Sequence, residues 1–214
     1  MKGMPCVRAI LLRPRSLLCD KNMGNQTAYL TFSMIDGEEN LVKAAVSGDS
    51  SAFGLLYDRY QPMIYRFIAV KVGRREDAED ITHQVFLSAW QSIAGYHDLG
   101  HPFSSWLYRI ARNQVIDHYR GRKQDVSLEV LDVESIVGAA ASHIDLSMKL
   151  DLEKTICAVK QLKPDYQDVI LMRFVEDLSV RETARAIKRS EGAVKLLQHR
   201  AIKELQKLLE QPEK

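Results

Sequence analysis

Two stretches of this 214-residue chain combine side chains suited to chemistry on nucleic acid. Placed on a helical wheel at about 100° per residue, the segment from Glu191 sends Val194, Leu197, Ala201, Leu205 and Leu208 to one stripe, and Gly192, Lys195, Leu196, His199, Arg200, Lys203 and Lys207 to the opposite side. Such a helix is held on a scaffold by its apolar face and offers a cationic face to phosphates. Its early residues are placed to meet base edges, and the later Lys and Arg to meet backbone. Leu196 is the informative exception, since a leucine on a cationic face has little structural reason but can touch a thymine methyl group. A solvated Lys-rich helix is the bland alternative. The segment just before decides between them: Ser179-Val180-Arg181-Glu182 is an S-x-x-E capping box opening a short helix to about Ile187, and Ser190 caps the longer helix to about Leu209. That pair reads as a helix-turn-helix.

The second stretch, residues 103 to 120, suits a different substrate. On the wheel Trp106, Leu107, Ile110, Ala111 and Gln114 share one side, expected to be core, and Tyr108, Arg109, Arg112, Asn113, Tyr119 and Arg120 share the other. Single-stranded nucleic acid is bound by flat side chains for stacking and cations for the backbone, and this surface carries both. The preceding loop adds Tyr96 and His97 and leads into Phe103.

The elements that position these faces are all helical. Apolar residues after residue 38 recur with helical period and no strand-and-turn series appears, which predicts an all-α fold. The pattern places helices at about Glu38–Ser47, from Asp49-Ser50-Ser51 to near Gly73 with Pro62 as a kink, at Arg75–Ser92 and at Phe103–Arg120, with a loop from Ile93 to Pro102. The third begins with Glu76, Asp77, Glu79 and Asp80, which favour the positive end of its dipole. Helices at Met148–Leu162 and from Lys163-Pro164-Asp165 to about Glu176 precede the helix-turn-helix.

Charge divides the chain. Residues 124–147 carry five acidic and no basic side chains, whereas residues 38–123 carry 11 basic and 10 acidic ones and residues 148–214 carry 14 and 11. The acidic stretch reads as a flexible linker between two small helical domains at 38–123 and 148–212. It spans up to about 80 Å at roughly 3.4 Å per residue, so the domains are expected to be structurally independent, with limited proteolysis cutting between them first. Residues 1–37 read as a disordered basic tail, and Met23 and Met34 are alternative starts.

Other classes are disfavoured. Cys6, Cys19 and Cys157 are far apart, form no C-x-x-C and suit a reducing cytosol. His97 and His101 sit in a Gly-containing loop, so no metal site is expected, and no cofactor motif is found. No apolar run approaches the roughly 18 residues of a membrane span, and Ala9-Ile10-Leu11-Leu12 is stopped by Arg13-Pro14-Arg15 rather than continued as a signal peptide. An enzyme is disfavoured because no phosphate-binding glycine loop and no nucleophile with a partner base can be found.

The run Ala78-Glu79-Asp80-Ile81-Thr82-His83-Gln84-Val85-Phe86-Leu87-Ser88-Ala89-Trp90, followed by Phe103-Ser104-Ser105-Trp106-Leu107-Tyr108-Arg109-Ile110-Ala111-Arg112-Asn113, closely resembles region 2 of extracytoplasmic-function (ECF) sigma factors of the sigma-70 family. Leu162-Lys163-Pro164-Asp165-Tyr166-Gln167-Asp168-Val169-Ile170, with Ser190-Glu191-Gly192-Ala193-Val194-Lys195 and Gln198-His199-Arg200-Ala201 downstream, resembles their region 4. The resemblance spans about residues 39 to 210 and holds two long motifs in order.

The resemblance implies a cytoplasmic subunit of bacterial RNA polymerase that initiates transcription, with no catalytic residues of its own. Asp77, Glu79, Asp80, Gln84 and Phe86 would dock on the clamp helices of the largest polymerase subunit, and the flap of the second-largest subunit would hold region 4. Tyr96, His97, Phe103, Tyr108, Arg109, Arg112, Asn113, Tyr119 and Arg120 would capture the opened minus-10 strand, with a flipped base near the loop and Asn113 at its edge. Glu191, Gly192, Lys195, Leu196, His199, Arg200 and Lys203 would read the minus-35 duplex, and the linker would thread the polymerase channel. Promoter DNA, core polymerase and an anti-sigma factor are the implied partners. Lys188 departs from the pattern, standing where the family usually has glycine in the turn. The alternative is a helix-turn-helix repressor or activator acting without core polymerase, which leaves the helix at 103–120 and the acidic helix before it without a role.

Overall fold

The computed structural model of the chain describes residues 37–96, 102–121 and 146–210. The tail, nearly all of the linker, and His97 with most of its loop lie outside the described residues. Eight helices are present among those described: α1 (Glu38–Val46), α2 (Ser50–Val72), α3 (Arg75–Ser92), α4 (Phe103–Gly121), α5 (Leu146–Gln161), α6 (Pro164–Ile170), α7 (Val180–Ala186) and α8 (Glu191–Glu210). A 3₁₀ turn, Ile93–Gly95, ends α3, and a wider π-type turn, Leu171–Val175, extends α6. The sequence pattern places every one of these helices within a few residues of where it lies, and α5 starts two residues before its expected beginning.

Local chemistry sets the boundaries. Gly48, at φ +96°, closes α1, with its N–H and that of Asp49 donating to Ala45 O and Ala44 O. That left-handed position is open to glycine without penalty. Asp49 then caps α2, its Oδ1 accepting from Ser51 N at 2.8 Å and Ala52 N at 3.2 Å. Pro62 lies within α2 on its exposed side, and the helix continues through it to Val72.

Helices α1 to α4 form one bundle. Leu56, Tyr60, Ile64, Phe67 and Ile68 of α2 pack with Val85 and Phe86 of α3 and Leu107, Tyr108 and Ala111 of α4. Edge-on aromatic contacts lock the pairs, Tyr57 to Phe86 at 4.7 Å and Phe67 to Tyr108 at 5.4 Å between ring centroids. Helices α5 to α8 form the second bundle, around Val159, Leu162, Val169, Ile170, Met172, Val194, Ala201 and Leu205.

The two bundles are not separate bodies, contrary to the expectation of structural independence. Helix α7 lies against α4, and α5 meets α2. Ion pairs from Arg66, Lys71 and Arg112 to Asp165, Asp168 and Glu176 cross the junction, and the buried apolar residues of the two bundles are continuous; the ion pairs leave no periodic trace in the sequence.

Candidate nucleic-acid interface

The helix-turn-helix is built as its sequence predicts. Ser179 Oγ accepts from Glu182 N at 3.2 Å while Glu182 Oε2 accepts from Ser179 N at 2.5 Å, completing the capping box. The turn after α7 has Lys188 N–H donating to Arg185 O at 3.2 Å and Arg189 N–H donating to Ala184 O at 2.8 Å. These are the two bonds of a Schellman closure, which demands a left-handed residue at Lys188, and its φ is +55°. The departure from glycine is therefore absorbed as strain rather than by a different turn. Ser190 Oγ accepts from Ala193 N at 3.2 Å and starts α8.

On α8, Val194, Ala201 and Leu205 are buried and Leu197 and Leu208 pack against the core. Gly192, Lys195, Leu196, His199, Arg200, Lys203 and Lys207 are exposed, Leu196 by 50% of its surface. Glu191 is exposed at the N-terminus. The cationic face and its lone leucine thus form one continuous surface. Arg173 orients the helix from behind, with Nε donating to Gln198 Oε1 at 3.1 Å and NH1 donating to Leu178 O.

The face expected on α4 is differently composed. Tyr108 is fully buried, edge-on to Phe67, and belongs to the core rather than to a stacking surface. The reason is that Ser104, Tyr108, Ala111 and Val115, at helical spacing beside Phe103 and Leu107, are buried as well; α4 is covered over a wider arc than a single stripe suggests. Burial, and then the nearby Glu176 carboxylate, push the Tyr108 phenol well above its ordinary pKa. Tyr96 and Phe103 are also buried, in a cluster with Trp106 whose centroids lie 5.2 to 5.7 Å apart. As predicted for Trp106, packing explains its position. Asn113 and Arg120 are exposed. Tyr119 is half exposed, its hydroxyl donating to Lys71 O at 2.6 Å.

Arg112 is engaged across the junction. Its Nε donates to Asp168 Oδ2 at 2.6 Å and its NH2 to Asp165 Oδ1 at 2.9 Å. Burial disfavours the guanidinium charge, but the bonds to Asp168 and Asp165 outweigh it and hold the group more firmly protonated than usual. Lys71 Nζ donates to the other Asp168 oxygen at 2.5 Å, with both side chains almost wholly buried. Arg66 grips Glu176 with two bonds, 3.2 and 3.0 Å. Sequence reasoning missed Asp168, Glu176, Arg66 and Lys71 as site residues. Each partner lies roughly a hundred residues from the other, and a lone charge in an amphipathic helix carries no sign of its mate.

A cleft of about 560 Å³ opens between the bundles, walled by Tyr96, Trp106 and Arg109 on one side and Arg181, Arg185 and Lys188 on the other. Arg109 is thus partly exposed on a cleft whose second-domain wall carries Arg181, Arg185, Lys188 and Arg189 together with Glu191.

The acidic helix α3 exposes Glu79, Asp80 and Gln84. Asp77 and Phe86 are buried, contrary to a role as surface contacts: Asp77 lies 3.8 Å from His118 Nε2, and Phe86 packs on Tyr57. Their place on the outer face is taken by Leu87 and Trp90, exposed by 50% and 39%. The sequence signal for Leu87 was available, since it lies three residues after Gln84 and so on the same face.

Comparison with known proteins gives these surfaces a common setting. Residues 56–124 match the family described as Sigma-70 region 2, and residues 152–205 match Sigma-70, region 4. The ECF RNA polymerase sigma factor BldN of Streptomyces coelicolor is 38% identical over 79% of this chain and 64% of its own length. SigW of Bacillus subtilis, also an ECF RNA polymerase sigma factor, is 33% identical over 78% of this chain and 94% of its own. The solved structure of CnrH, in complex with the cytosolic domain of CnrY, aligns with a TM-score of 0.60 at 25% identity, covering 81% of this chain and 97% of that one. Two region matches in chain order, and a relative matched over nearly its whole length, lead to one conclusion: this chain belongs to the extracytoplasmic-function sigma factors of the sigma-70 family.

Proposed function

We propose that the chain directs core RNA polymerase to specific promoters through three surfaces and contributes no catalytic group of its own. The cationic face of α8 reads the minus-35 duplex, with Lys195, Arg200 and Lys203 on phosphates and Leu196 and His199 at base edges. The observation that carries this reading is the exposed Leu196 set among exposed cations on a helix whose other face is core. Asn113, Arg120, Arg109, Arg112 and Tyr119 capture the minus-10 strand. Tyr96 and Phe103 are packed in the buried aromatic cluster with Trp106 rather than stacking at the surface.

The third surface is the outer face of α3, where Glu79, Asp80, Gln84, Leu87 and Trp90 meet the clamp helices of the largest polymerase subunit. Half-exposed apolar groups ringed by acids suit a partner that is itself amphipathic and basic. The flap of the second-largest subunit holds the α5–α8 domain, and the linker runs between the two sites. The CnrH structure contains the cytosolic domain of CnrY, and a protein of that kind is the expected regulatory partner. The setting is cytoplasmic, and no described helix is long and apolar enough to cross a membrane.

A repressor or activator acting without polymerase has no use for the α3 surface. Core polymerase pulled down by the chain, followed by run-off transcription from a duplex promoter, tests the proposal. Normal DNA binding with no polymerase captured favours the simpler regulator.

A further inference from the structure

The cleft of about 560 Å³ has a volume typical of a small-molecule site. Ser105 lies on its first wall with Tyr96, Trp106 and Arg109, and Arg189 and Glu191 lie on its second wall with Arg181, Arg185 and Lys188. Arg189 is shared with Asp165 at 3.6 Å. Arg109, Arg181, Arg185 and Lys188 make no ion pair with any described residue, whereas Arg66, Lys71 and Arg112 at the same junction are all paired. Against Glu191 alone, the unpaired cations leave the cleft positive. Arg181 and Arg185, four residues apart, share one face of α7, and Lys188 follows in the turn; all three are exposed. Lys188 holds its place at φ +55°, a left-handed conformation that is unfavourable for lysine. A strained residue that brings an unpaired charge to a cleft points to a partner for that charge.

The first wall is aromatic and fixed. Trp106 is half-buried and held by ring contacts to Tyr96 at 5.2 Å and Phe103 at 5.3 Å. Beside it Ser105 Oγ, on a residue 3% exposed, has no hydrogen-bond partner among the described residues. A buried hydroxyl in that state is unfavourable, and a ligand in the cleft can satisfy it.

We propose that this cleft binds a free nucleotide carrying two or more phosphates, with its base on Trp106, Ser105 Oγ bonded to the base edge or the ribose, and its phosphates among Arg109, Arg181, Arg185 and Lys188. The segregation of the groups selects this ligand over a nucleic-acid strand. A strand alternates base and phosphate and is met by interleaved rings and cations. Here the rings lie on one wall and most of the cations on the other, which matches a molecule with one flat end and one highly charged end. Guanidinium groups suit clustered phosphate oxygens because each offers a fork of donors. The site does not depend on strand capture by α4, since neither Arg112 nor Asn113 lines it.

The test uses the full chain without polymerase or promoter. Calorimetry measures the binding of ATP, GTP, adenosine, inorganic tripolyphosphate and a short single-stranded oligonucleotide, and emission from Trp106, one of two tryptophans in the chain, locates it. ATP or GTP is expected to bind at one site with Kd below about 0.1 mM, tripolyphosphate at least about tenfold more weakly, and adenosine more weakly still. Lys188→Gly, which removes the charge and relaxes the turn, should weaken nucleotide binding about tenfold, and Arg109→Gln on the opposite wall should do the same. Ser105→Ala should weaken it about threefold, and Trp106→Phe should remove the emission change. Lys43→Gln, on α1 and outside the cleft lining, should change nothing. Because Lys188→Gly relieves strain, its loss of binding with an undiminished melting temperature separates a lost contact from misfolding. No binding at about 1 mM nucleotide overturns the site. Binding that Lys188→Gly and Arg109→Gln leave unchanged overturns its location, and equal affinity for tripolyphosphate overturns the base contact. An oligonucleotide that binds through these residues more tightly than either nucleotide makes the cleft part of a strand path; the proposal then fails while strand capture stands.

Discussion

Replacing Leu196 by Ala tests the proposed base reading by α8 and should leave the fold undisturbed. The side chain is 50% exposed, and the helix is held by Val194, Ala201 and Leu205 on its other side, so the melting temperature should be unchanged. Burial of a whole leucine side chain contributes about 1.5 to 3 kcal/mol, so covering the half still exposed against a thymine methyl contributes roughly 1 kcal/mol. That corresponds to about fivefold in affinity. The assay is a competition of minus-35 duplexes in which each thymine is replaced in turn by deoxyuridine, which lacks only the methyl group. Wild type should lose about fivefold at one position, and Leu196→Ala should lose nothing further there while binding the parent duplex about as weakly as wild type binds the deoxyuridine one. This is a double-mutant cycle between one side chain and one methyl. If the losses at every position simply add, Leu196 does not contact a methyl group, and the reasoning from its exposure is wrong.

Leu205→Ala, by contrast, empties a fully buried site of the second domain and should destabilise it by about 2 to 5 kcal/mol, visible as a lowered thermal transition. Lys188→Gly should stabilise the chain by up to about 1 kcal/mol, since it relieves a left-handed lysine at φ +55° at the cost of some backbone entropy; chemical denaturation measures it, and a loss of stability would show that Lys188 is not strained. Lys195→Ala and Arg200→Ala should each reduce the slope of log affinity against log salt by about 1 on the minus-35 duplex. Burial raises the Glu176 carboxyl above its ordinary pKa, against the opposing pull of Arg66 and Tyr108. A folded pKa above the unfolded one contributes stability that is fully present below the unfolded value and lost as pH rises through the folded one. The melting temperature of wild type relative to Glu176→Gln should therefore rise as pH is lowered from 7 toward the usual glutamate range near 4.3, and the opposite trend would refute the assignment.

The sequence by itself determined what depends on neighbours along the chain. The all-α class, the helix boundaries, the Ser179–Glu182 capping box and the two-sided α8 all follow from periodicity, caps and turn chemistry within a few residues. The expected division of α8 into a buried and an exposed face matches the structure because one apolar stripe settled its orientation. On α4 the same method failed for Tyr108, since that helix packs against its own bundle and also against α7, and a wheel cannot show how wide an arc the neighbours cover. Likewise Asp77 and Phe86 were assigned to a surface from their motif, whereas packing against His118 and Tyr57 turned them inward and left Leu87 and Trp90 outside. Only the tertiary structure decided that the domains close on each other. The pairs responsible, Lys71 with Asp168 and Arg66 with Glu176, join charges about a hundred residues apart, and their strength comes from burial that neither side chain acquires until both domains are folded and docked.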